Sequence, residues 1–173
     1  MRKLVSMVVG LLILATSSLA LANNLTYLNG DRNFIMVDMH MGSIWYVDRS
    51  SLVVQQYEPP QYTIAVNVVE ARSAIGDERD FLNGGEGAIV SVKTKRFFYN
   101  WDLRRMYVDR NGNSDWRYLD PNGCWAATGI SMPAGEIAFA LAYNLKFYGG
   151  KKFYNSLLRR MMCPYDDAFY SGI

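Results

Sequence analysis

Apolar and polar residues alternate along most of the first two thirds of the chain, and the period lengthens to that of a helix after Pro133. Segments 34–40, 44–48, 52–57, 62–71, 88–99, 103–109 and 115–119 are rich in β-branched and aromatic residues and predict strands. The alternation is clearest in two of them. Ile64, Val66 and Val68 oppose Thr63, Ala65 and Asn67, and Val90, Val92 and Thr94 oppose Ser91, Lys93 and Lys95, so one sheet face is expected to be wet. Asn111-Gly112 is the signature of a tight type I′ hairpin turn. Pro59-Pro60 and Asp120-Pro121-Asn122-Gly123 mark further turns, and residues 73–87, with four glycines and five charges, are expected to form a mobile surface loop.

After Pro133, Ile137, Leu141, Leu145 and Tyr148 recur on one helical face until Gly149-Gly150. Phe153, Leu157 and Met161 repeat at the same spacing, with Arg159 and Arg160 in the last turn and Pro164 as the stop, and predict a second helix. Strands followed by helices without alternation give an α+β class: an antiparallel sheet of six or seven strands packed by two C-terminal helices.

The first 22 residues follow another logic. Arg2 and Lys3 precede an apolar run of about 12 residues, and Ala20-Leu21-Ala22 follows, which is the pattern of a removable export signal. The run is shorter than the roughly 20 residues a membrane span requires. Removing 22 of the 173 residues leaves 151, the length of one domain, so residues 23–173 are expected to fold as a single unit in the periplasm or at the cell surface. The signal also carries two of the 18 basic residues and none of the 16 acidic ones, so the mature chain is formally neutral. Nucleic acid is therefore not an expected partner, and no transmembrane segment remains after cleavage. In an oxidising compartment the only two cysteines, Cys124 and Cys163, are expected to pair; the bond would close a loop of about 40 residues and contribute about 3 to 4 kcal/mol.

Several segments, in order, resemble the surface-adhesin protein E family of small exported bacterial proteins. They are Tyr46-Val47-Asp48-Arg49-Ser50-Ser51, the extended run 62–69, the aromatic pair of strands over 97–108, and Trp116-Arg117-Tyr118-Leu119 leading through a proline to a helix. The resemblance implies an antiparallel sheet with a C-terminal helix, and adhesion to a host or envelope protein or glycan. It carries over no ligand-contacting residue.

Chemistry-bearing motifs are sparse. The single histidine, His40, excludes two-histidine zinc motifs, and neither a nucleophile elbow nor a P-loop is present. Asp38, Asp48 and Glu70 are the strand-borne carboxylates on which a saccharide hydrolase would draw. Asp109, Asn111, Asn113, Asp115 and Asp120 have the offsets of a calcium loop, but Ser114 stands where its glycine belongs and a hairpin explains the same residues. Met36, Met39, His40 and Met41 offer soft donors for copper, with core packing the simpler role for the methionines. Lys93, Lys95, Arg104, Arg105 and Arg117 could form a basic stripe interleaved with Trp101, Tyr107 and Trp116. The expectation is thus a non-enzymatic, adhesin-like binding module with no cofactor or metal. Its alternatives are an envelope enzyme acting on saccharide and a periplasmic assembly or inhibitor protein that docks a partner strand on its sheet edge.

Overall fold

The seven strand-like segments become six strands because two of them join. Between 44–48 and 52–57 the chain bulges instead of turning. Asp48 Oδ1 accepts from Ser50 N (3.0 Å) and Ser50 Oγ (2.6 Å), while Ser51 Oγ donates to Asp48 O and accepts from Asn67 N on the next strand (2.6 and 2.8 Å). The bulge is stitched into the sheet by its own hydroxyls, and the strand continues through it.

The computed structural model describes residues 26–123, 125–156 and 158–173. The expected signal segment and Cys124 lie outside them. The elements are β1 (Phe34–His40), β2 (Ser43–Glu58), β3 (Gln61–Ser73), α1 (Glu78–Leu82), β4 (Gly87–Asn100), β5 (Arg105–Asp109), β6 (Trp116–Leu119), α2 (Trp125–Thr128), α3 (Ser131–Tyr143), β7 (Phe153–Asn155), β8 (Arg160–Met162) and α4 (Asp167–Tyr170). Strands β1 to β6 form one antiparallel sheet in sequence order, and β7 pairs with β8 in a separate hairpin. The class is α+β, with the sheet packed by C-terminal helices.

One face, here called inner, carries Ile35, Val47, Ile64, Val66, Val68, Phe97, Tyr99, Met106, Val108 and Leu119 against Ile137, Ala138 and Phe139 of α3. The helix approaches closely at Gly135. A Cβ there would lie 2.4 Å from Met106 Sδ and 3.0 Å from Phe97 Cδ1, so only glycine fits. Gly135 O also accepts a hydrogen bond from Tyr99 Oη, at 2.5 Å. On the opposite, outer face a smaller core joins Ile44, Tyr46 and Ala71 to Leu28 and Phe81 at one end of the sheet.

Several expectations are corrected. The connection 73–87 is not a free loop: Asp77 caps α1 by accepting from the N–H groups of Arg79 and Asp80, and Phe81 is buried. The β5–β6 connection spans six residues rather than a two-residue turn, because Asp109 organises it from within. Helix α3 ends at Tyr143, where Asn144 takes the left-handed conformation (φ 52°, ψ 36°), so Leu145 and Tyr148 lie beyond it. The predicted second helix over 153–162 is the β7–β8 hairpin. Asn155 Oδ1 accepts from Leu158 N (2.8 Å) and Arg159 adopts a positive φ, and this turn chemistry overrides the helical spacing of apolar residues. The second C-terminal helix is instead α4, capped by Asp166 and folded back so that Tyr170 Oη donates to Glu136 Oε1 of α3.

Candidate functional site

The pleat of a strand sends neighbouring residues to opposite faces, and this divides the predicted basic and aromatic stripe. Lys93 and Lys95 share parity with the core residues Phe97 and Tyr99 and so face inward. Lys95 Nζ donates to Ser131 Oγ at the start of α3 (3.0 Å), and burial, reinforced by Lys93, lowers its pKa. Trp101 stacks on Phe139 (5.7 Å between centroids, 18° between planes). Arg104 lies 3.6 Å over the same indole and donates to Phe147 O at 2.8 Å. Arg117 donates to Ala127 O in α2. Lys95, Trp101, Arg104 and Arg117 are thus fastened to the layer that covers the inner face, while Lys93 lies on that face but is exposed.

Arg105, Tyr107 and Trp116 lie on the outer face, where the structure joins them to residues that the stripe did not include. Phe98 of β4, Tyr107 of β5 and Tyr118 and Trp116 of β6 form a ladder of rings. Phe98 meets Tyr107 at 5.6 Å and Trp116 at 5.7 Å, and Tyr107 meets Tyr118 at 5.6 Å. A guanidinium covers each end: Arg96 is 5.3 Å from the Trp116 ring and Arg105 is 5.8 Å from the Tyr118 ring. Tyr118 is 43% exposed and the other three rings are half-buried. The outer hydrophobic cluster lies at the other end of the sheet and includes none of the four rings.

Arg96 is held rigidly. It donates through Nε to Gln55 Oε1 (2.9 Å) and through Nη1 to Asp109 Oδ2 (2.5 Å) and Gly112 O (3.5 Å). Asp109 also accepts from the backbone N–H groups of Asn111, Gly112 and Ser114. Although burial opposes it, these bonds and Arg96 hold the Asp109 carboxyl below the usual range. Both Asp109 oxygens are thus committed to N–H donors, which explains the calcium-like spacing without a cation. Beside Trp116 a depression of about 270 Å³ is lined by Gln55, Gln56, Thr63, Arg96, Phe98, Ser114 and Trp116.

No family model, curated protein or solved structure matches the chain. The outer-face constellation therefore rests on its own geometry.

The other sequence candidates are dispersed. Asp38 and Glu70 both pair with Trp45 across neighbouring strands, which puts their backbones two strand spacings, about 10 Å, apart on the inner face. Asp48 pairs with Asn67 on the outer face. Glu70 accepts from Ser43 Oγ (2.8 Å), Arg72 Nη2 (3.1 Å) and Ser91 Oγ (3.3 Å). The Ser43 bond leads in lowering its pKa, the opposite of what a general acid requires. Among the described residues no group of three or more His, Cys, Asp or Glu side chains is placed to hold a metal. The methionines are not core residues: Met36, Met39 and Met41 are 36, 47 and 86% exposed. Cys163 is half-buried and forms no disulfide within the described residues. No helix among them is long and apolar enough to cross a membrane.

Sequence reasoning missed Arg96, Phe98 and Tyr118. Their signal was parity alone, and it was masked because Phe97 and Tyr99 place aromatic residues on the inner face of the same strand.

Proposed function

We propose that the protein is an exported, non-enzymatic binding module of the bacterial envelope or surface, adhesin-like in role, that engages a protein or glycan partner through the outer face of its sheet. One observation carries this reading: four touching rings occupy an open sheet face, with a guanidinium over each end. Aromatic and arginine side chains dominate binding hot spots because they offer large, stiff contact area together with directional donors. The export-signal pattern and the segmental resemblance to surface adhesins agree with this role.

The test is capture of envelope extract and host-matrix components by immobilised protein. Trp116→Ala with Tyr118→Ala should reduce capture about tenfold or more, whereas Lys93→Glu on the inner face should leave it unchanged. Equal capture by all three proteins contradicts the proposal.

A second reading has one observation in its favour. Strand β1 pairs with β2 only as far as Asp48, so residues 53–58 of β2 pair with β3 alone and Val53 and Val54 are exposed. Such an edge suits a partner strand, as in an assembly or inhibitor protein. Under that reading Val53→Lys with Val54→Lys abolishes capture while the Trp116 variant retains it.

A further inference from the structure

We infer that the depression beside Trp116 is a subsite for a neutral saccharide, an inference that rests on the binding-module reading and names its ligand class. A sugar ring presents a C–H face that packs on an aromatic ring, and a rim of neutral hydroxyls that both donate and accept. Trp116 and Phe98 supply the floor, 5.7 Å apart and tilted by 43°. The rim is built from amides, hydroxyls and one guanidinium, contributed by Gln55, Gln56, Thr63, Ser114 and Arg96.

This rim is ordered by its own bonds. Thr63 Oγ1 donates to Gln56 Oε1 (3.1 Å), Gln56 Nε2 donates to Glu58 Oε2 (3.1 Å), and Arg96 is fixed between Gln55 and Asp109. A ligand would therefore meet side chains whose rotamers are already set, which lowers the entropic cost of binding.

Charge decides between a neutral and an anionic ligand. Arg96 is neutralised by Asp109, Arg110 pairs with Asp115 at 3.3 Å, and Glu58 adds a negative charge beside Gln56. The predicted stripe would have suited a polyanion, but Lys93, Lys95, Arg104 and Arg117 belong to the inner face. Arg105, at the far end over Tyr118, is the cation left on the ladder without an ion pair among the described residues. The balance around Trp116 is close to zero, which favours uncharged hydroxyls over sulfate or carboxylate groups.

The experiment is calorimetric and fluorescence titration of the purified protein with maltohexaose, cellohexaose and chitohexaose, and with heparin as the anionic comparator. The inference expects at least one neutral hexasaccharide to bind, with an affinity insensitive to salt and about tenfold or more weaker in Trp116→Ala. Trp116→Phe, which keeps a ring on the floor, should recover most of the affinity and so separate the loss of a stacking surface from a loss of fold. Salt-sensitive, Trp116-dependent binding of heparin alone would overturn the neutral-saccharide inference while leaving the binding module standing. Failure of all four probes, with Trp116-dependent capture of a host or envelope protein intact, would do the same. If capture too ignores Trp116 and Tyr118, both readings fall.

Discussion

Glu136 is fully buried in α3, and its carboxyl is pushed up to about 7 chiefly by desolvation. Hydrogen bonds from Tyr170 Oη and Tyr148 N oppose the shift but do not cancel it, and Oε2 has no protein partner among the described residues. An unfolded carboxyl titrates near 4.5, so between that pH and about 7 the native state holds the extra proton. The stability associated with the neutral carboxyl is complete below pH 4.5 and is lost as pH rises through 7, by about 3 kcal/mol. Glu136→Gln is neutral throughout, so urea denaturation should show the variant gaining about that much on wild type between pH 4.5 and pH 8; parallel profiles would refute the assignment. Tyr46 makes a second prediction, since its buried hydroxyl likewise lacks a protein partner among the described residues. Tyr46→Phe should leave the urea midpoint unchanged or raise it, by up to about 1 kcal/mol. At this scale the sequence supplied residue types but not their partners. Arg104 and Arg105 are adjacent in the chain, yet one braces Trp101 and Phe147 while the other covers Tyr118. Arg104 ends the preceding turn in a left-handed conformation (φ 48°), whereas Arg105 opens β5.

Elements were more legible than sites, because a two-residue period over a long segment survives local irregularity. The boundaries of β1, β3 and β4 follow from alternation to within a residue or two. What failed was decided by side chains acting on the backbone: Ser50 and Ser51 carrying β2 through a bulge, Asp109 rebuilding a hairpin, and Asn155 turning a helix-like repeat into β7–β8. The 73–87 connection reads as polar, yet Phe81 packs with Leu28 against the β4 backbone at Gly87. Phe81→Ala should cost about 3 kcal/mol and speed proteolysis within 73–87; unchanged cleavage would mean that this segment is not docked. At the seam between helix and sheet, Gly135→Ala gains about 1 kcal/mol of helix propensity but drives a methyl into Met106 and Phe97. Overpacking costs about 1 to 3 kcal/mol, so the melting temperature should fall rather than rise.

At the scale of the whole molecule, the two sheet faces have different fates. The inner face is closed by α3, by the residues that follow it, and by a tail in which Tyr165 is buried and Lys146 pairs with Asp167. The outer face is covered at one end by Leu28 and Phe81 and presents an aromatic ladder at the other. One face is thus spent on folding and the other is left for a partner. The most direct measurement is an NMR titration that follows the Trp indole N–H resonances as the protein binds whichever hexasaccharide, or heparin, it retains. The Trp116 resonance should move with saturation while that of Trp101 stays fixed. Movement of Trp101 with Trp116 unperturbed would put the partner on the inner face and contradict the account.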